Sequence, residues 1–149
     1  MPSNVGYLLD TNVLVALIRA KTLGEAIDRR FGLRSAINRS MICVVTAGEM
    51  LSLACQCAWG QSKRDALQAL LDEVVWIDIN HPDIIDAYAE IDFATRSQGR
   101  KMGKNDVWIA ATAKVSKTIL LTTDLDFDHL HPAHVNRIWI APDTKQTPT

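Results

Sequence analysis

The reading of the fold turns on Tyr7-Leu8-Leu9-Asp10-Thr11-Asn12-Val13-Leu14, where an apolar triplet runs straight into an acid and two helix-capping residues. Tyr7 to Leu9 reads as a short buried strand. Asp10, Thr11 and Asn12 are good N-caps, and Val13 to Ala20 reads as the helix they start. The same alternation continues along the chain. Leu23 to Asn38 reads as a helix and Met41 to Thr46 as a β-branched, buried strand. Helices are expected over Ala47 to Ala58 and Ser62 to Leu71, and a strand over Val74 to Ile77. Pro82 suits the first turn of a helix running to Ser97. Asn105 is placed to cap a helix over Asp106 to Val115. Strands over Thr118 to Thr122 and Arg137 to Ile140 complete the pattern. Short apolar strands separated by helices predict a parallel sheet of four to five strands with helices on both faces.

Composition bounds the chain without adding detail. At 149 residues, 48 % apolar and 22 % charged, it matches one soluble domain with one core. Residues 1–140 are expected to form that domain and residues 141–149 a flexible tail. No apolar stretch has the length of a bilayer span, and Met1-Pro2-Ser3-Asn4 lacks the basic start of a secretory signal. The odd count of three cysteines argues against a disulfide framework, so a cytoplasmic setting is expected. Sixteen basic against 17 acidic side chains give a net charge of −1, but the charges are unevenly spread. Residues 29–48 hold four arginines and no acid, Arg100, Lys101 and Lys104 cluster, and Asp124, Asp126 and Asp128 gather.

In parallel sheets, sites form at the carboxyl ends of the strands. Four acids fall there. Asp10 follows the first strand, Glu49 lies in the first turn expected after the second, Asp124 follows Ile119 to Thr123, and Asp106 opens a very apolar helix. Each alone is an ordinary cap or turn former. Four converging carboxylates would repel one another and require protons or cations. Hard oxygen donors select Mg²⁺ or Mn²⁺ over zinc, and such ions serve phosphate chemistry by neutralising charge and activating water for in-line attack. No Walker loop, dinucleotide fingerprint or nucleophile elbow is present.

Four segments carry a family resemblance. Leu8-Leu9-Asp10-Thr11-Asn12-Val13-Leu14, Val45-Thr46-Ala47-Gly48-Glu49-Met50, Gly103-Lys104-Asn105-Asp106-Val107-Trp108-Ile109-Ala110-Ala111 and Leu121-Thr122-Thr123-Asp124-Leu125-Asp126-Phe127 resemble, in order, the motifs of a PIN domain, and most of all those of VapC-like toxin ribonucleases. The resemblance runs from Tyr7 to Ile140. It implies a three-layer α/β/α fold and Mg²⁺- or Mn²⁺-dependent endoribonuclease action leaving a 5′-phosphate and a 3′-hydroxyl. Carried over by position, Asp10, Glu49, Asp106 and Asp124 would be the acidic, metal-holding quartet. Thr122 would be the hydrogen-bonding Ser/Thr of the site, Asn12 the polar residue two after the first acid, and Asp126 an outer acid. Homodimers and a cognate antitoxin are also implied, with RNA as substrate. A negative site that receives RNA needs a basic rim, for which Arg96, Arg100, Lys101 and Lys104 are the candidates.

Two alternatives stand beside this reading: a non-catalytic RNA- or partner-binding module on the same fold, and a Mg²⁺-dependent small-molecule phosphatase. The second needs an acid two residues after Asp10, where the chain has Asn12. His129, His131 and His134 do not keep metal-ligand spacing and read as a surface loop. Cys55 and Cys57 read as small buried groups, and Trp76, Trp108 and Trp139 as core. Trp59 is a candidate for an interface. Ile84, Ile85, Tyr88, Ala89, Ile91 and Asp92 read as one packing face.

Overall fold

The computed structural model describes residues 6–19, 21–35 and 39–142. Five strands, β1 (Tyr7–Leu9), β2 (Met41–Cys43), β3 (Val75–Ile77), β4 (Ile119–Thr122) and β5 (Asn136–Trp139), form one sheet in the order β3-β2-β1-β4-β5. Every pairing is parallel. Six α-helices connect them: α1 (Thr11–Arg19), α2 (Thr22–Phe31), α3 (Val44–Gln56), α4 (Gln61–Glu73), α5 (Pro82–Ser97) and α6 (Lys104–Ser116). A 3-10 helix, Leu125–Leu130, follows β4. Of the expected tail, residues 141–149, the part from residue 143 onward lies outside the described residues.

Alternation along the strands sorts the core into two layers. Leu9, Ile42 and Leu121 face a cluster built with Val13, Leu14 and Leu17 of α1, Ile27 of α2, Met50 of α3 and Leu67 of α4. Their neighbours Leu8, Cys43 and Leu120 face the opposite cluster, with Ile84 and Ile91 of α5 and Val107, Ile109 and Ala110 of α6. The central strands are therefore buried on both faces. That gives the three-layer α/β/α arrangement and explains why these strands are continuous apolar runs rather than alternating ones.

Several boundaries differ from the sequence expectation. β2 ends at Cys43, and Val44, Val45 and Thr46 already belong to α3. Glu49 thus lies in the second turn of that helix rather than the first. Burial of Thr46 and Ala47 against the core overrides the strand preference of the β-branched residues. Helix α2 stops at Phe31, short of the expected end at Asn38. Gly32 adopts a left-handed conformation there (φ 63°) and donates its N–H to Asp28 O at 2.7 Å. The last part of the expected helix, residues 36–38, lies outside the described residues.

Some side chains also sit differently from expectation. Cys55, in the last turn of α3, and Cys57, just past its end, are exposed, and only Cys43 is buried. Trp59 is buried in the core with Lys63 over its ring, which removes it from any interface. Trp76 is 48 % exposed on the edge strand β3, its indole N–H donating to Leu71 O at 2.8 Å. Trp108 and Trp139 are half-buried, Trp108 against Tyr88. On α5 the packing face is Ile84, Ala87, Ile91 and Thr95, whereas Ile85 and Ala89 point outward.

Candidate active site

The chain runs from β1 outward through β2 to β3, then returns to place β4 and β5 on the other side of β1. The crevice between the carboxyl ends of β1 and β4 is thus the topological switch point, where open α/β sheets place their sites. The register Leu9↔Leu121 sets Asp10 directly beside Thr122. Asp10 donates its N–H to Leu121 O at 3.0 Å, which extends the ladder by one step.

Asp10 is 3 % exposed and held at both carboxylate oxygens. Oδ1 accepts the Thr11 N–H at 2.8 Å, and Oδ2 accepts the Thr122 hydroxyl at 2.7 Å. The Thr122 oxygen in turn accepts the Asp124 N–H at 2.9 Å. One hydroxyl therefore ties the first acid to the backbone of the last. Asp124 caps the 3-10 helix by accepting the Asp126 N–H at 2.9 Å. Phe127, fully buried, anchors that segment in the core. Asn12 accepts the Thr123 N–H at 3.3 Å and so fastens the first turn of α1 to the end of β4.

Glu49 reaches the same crevice from α3. Its Oε1 accepts the Thr11 hydroxyl at 2.6 Å and its Oε2 accepts the Asn105 amide at 3.1 Å. Asn105 is not the helix cap expected from the sequence. Gly103 occupies that position, and Asn105 lies in the first turn of α6 with its side chain directed at Glu49. Sequence reasoning takes Thr11 and Asn105 only as caps. The available signal is their place one residue beside Asp10 and Asp106.

Asp106, Asp124 and Asp126 bring one carboxylate oxygen each to within 4.8 Å of one another. Burial, followed by the charges of Asp10, Asp124, Glu49 and Asp126, pushes the Asp106 carboxyl up to about 7. Burial likewise raises Asp10 to about 6 against the hydrogen bonds from Thr122 and Thr11, with Asp124 and Glu49 adding repulsion. Burial and the neighbouring Asp124 raise Asp126. Asp10, Glu49, Asp106, Asp124 and Asp126 therefore share one electrostatic field. Among the described residues no Lys or Arg forms a salt bridge with any of them. An all-oxygen, strongly anionic donor set of this kind fits a hard divalent cation.

The basic candidates are divided. Arg96 pairs with Asp92 at 2.9 Å one helical turn away. Arg100 and Lys101 line a small cleft beside Thr95 and Met102. Burial lowers the proton affinity of His129, and the charge of Arg100 lowers it further. Lys104 is exposed at the start of α6, two residues before Asp106. The three C-terminal histidines have separate partners. His129 hydrogen-bonds Thr95 at 2.9 Å, His131 accepts the Arg137 N–H, and His134 lies beside Glu90.

A model of the PIN domain family matches residues 7–131. Among solved structures, VapBC2 from Rickettsia felis bound to a promoter DNA fragment is similar over 91 % of this chain and 98 % of its own, with a TM-score of 0.75 and 18 % identity. VapBC-5 from Mycobacterium tuberculosis is 26 % identical over 91 % of this chain and 99 % of its own, with a TM-score of 0.66. VapC20 from the same organism, described as a sarcin–ricin loop cleaving toxin, is 16 % identical with a TM-score of 0.63, covering 91 % and 99 %. No curated protein sequence matches the chain.

Proposed function

The chain belongs to the PIN domain family, and from that premise we propose that it is a Mg²⁺- or Mn²⁺-dependent endoribonuclease, the toxin of a toxin–antitoxin pair. The observation that carries this reading is the convergence of Asp10, Glu49, Asp106, Asp124 and Asp126 at the β1/β4 crevice, with no ion pair to a basic side chain among the described residues. Asp106 and Asp124 would hold the cation, with Asp10 and Glu49 completing the quartet and Asp126 beside it. A divalent ion bound there supplies charge neutralisation for a phosphodiester and makes water more acidic.

The protein's own groups prepare that chemistry. Thr122 and Thr11 fix both oxygens of Asp10. Thr11 and Asn105 fix both oxygens of Glu49, so neither carboxylate has to be reorganised when substrate arrives. Arg100, Lys101 and Lys104 form a rim that attracts the RNA backbone. Arg96 contributes less, since Asp92 already pairs with it. The similar structures of toxin–antitoxin complexes support an antitoxin partner, and we extend the reading to a cytoplasmic homodimer. No helix among the described residues is long and apolar enough to cross a membrane.

The test is cleavage of single-stranded RNA by the purified chain with Mn²⁺. Cutting is expected with the metal and not with EDTA, and Asp106→Ala is expected to be inactive. Binding of RNA without cutting would favour the binding-module alternative, and turnover of a small phosphoester alone would favour the phosphatase.

A further inference from the structure

We propose that the groove along α3 beside the acids is the seat of one unpaired nucleobase next to the scissile phosphate. This rests on the nuclease reading above. The groove holds about 510 Å³ and is continuous with the acidic crevice, sharing Thr11, Glu49 and Asn105 with it. Its far end is made by Ser52 and Gln56, and Val45 and Leu53 give it apolar wall.

Gly48 is the informative residue. It lies inside α3, where glycine is the poorest helix former apart from proline. Its backbone is ordinary right-handed helix, so no turn demands glycine. A Cβ built there meets nothing within 4 Å, so no neighbour demands it either. What Gly48 does is keep the groove open along its length. An absent side chain where the fold needs none indicates close approach by a ligand.

The lining selects the part of RNA that enters. Glu49 is its only charged member, and a phosphate there would be repelled. Arg100 and Lys101 line a different cleft, and Lys104 is not part of this lining. Hydroxyls, amides and two apolar side chains suit a neutral ring. Gln56 donates to the Ser52 hydroxyl at 2.9 Å, which orients its amide and leaves a carbonyl and a second N–H for a base edge. Single-stranded RNA is read in this way, by splayed bases contacted on face and edge. The backbone would then run on the basic side while one base points along α3.

The experiment uses a pool of single-stranded RNA of randomised sequence, cut with Mn²⁺ and sequenced at the new ends. Native chain is compared with Gly48→Leu and Gln56→Ala. Leucine is a good helix former and the space is open, so Gly48→Leu is expected to melt no lower than the native chain. Its kcat/KM for the pool is expected to fall about tenfold or more, the loss of one base's contacts with the groove. Gln56→Ala is expected to flatten the nucleotide preference at one position beside the cut. Native rates and native preference in both variants would overturn the subsite while leaving the nuclease intact. Failure of the native chain to cut the pool would overturn the nuclease reading and the subsite with it.

Discussion

Replacing Asp106 by Asn should stabilise the metal-free protein, and the effect should depend on pH. Asp106 shares its field with four other carboxylates, and its folded carboxyl is raised from 3.8 to about 7. The folded state thus holds this proton more tightly than the unfolded chain. The contribution is fully present below about pH 4 and is lost as pH rises through about 7; above that the ionised group weighs against folding. The gap corresponds to roughly 4 kcal/mol if unscreened. Asp106 is only half-buried, so solvent screening reduces the expected gain to about 1–2 kcal/mol. For a domain of this size that is about 5 °C in Tm. Asparagine keeps the shape and costs no hydrogen bond seen in the structure. The assay is thermal melting in EDTA at pH 8 and pH 4. Asp106→Asn should melt higher at pH 8 and level with the native chain at pH 4. Adding Mn²⁺ at pH 8 should reverse the order, because only the native chain gains the binding energy. A variant no more stable than native at pH 8 in EDTA would refute the electrostatic argument.

Thr122→Val deprives Asp10 of a donor and leaves the Asp124 N–H unpaired; RNA cleavage should fall about 10- to 100-fold, measured as initial rate with Mn²⁺. Phe127→Ala removes the buried anchor under the acidic segment and should cost about 3–5 kcal/mol in urea unfolding. Asn105→Ala frees one Glu49 oxygen; the metal concentration giving half-maximal cleavage should rise several-fold while the melting temperature changes little. Neutralising Arg100 and Lys101 together should flatten the salt dependence of RNA binding, and an unchanged slope would take them off the substrate path.

The central strands β1, β2 and β4 are legible in the sequence because they are apolar runs, buried between the two helix layers. The acids are legible because each follows a strand or opens a helix at the same end of the sheet. What escapes is anything decided by contacts distant in sequence. Val44 to Thr46 prefer strand locally, yet the core takes them into α3. Cys55 and Cys57 look like small core groups, but they fall at the solvent-exposed end of α3, Cys57 just past its last residue. Thr11 and Asn105 read as caps because the residue they hold, Glu49, is 38 and 56 positions away. The closeness of Asp126 to Asp106 depends on the 3-10 helix after β4, which strand and helix periodicities do not reveal.

Crystals grown with Mn²⁺ and measured for its anomalous scattering would locate the ion itself. A peak among the carboxylates of Asp106, Asp124 and their neighbours at the β1/β4 crevice, lost in Asp106→Asn, is the expected result. An empty crevice at saturating Mn²⁺, or a peak on another face of the molecule, would contradict the account.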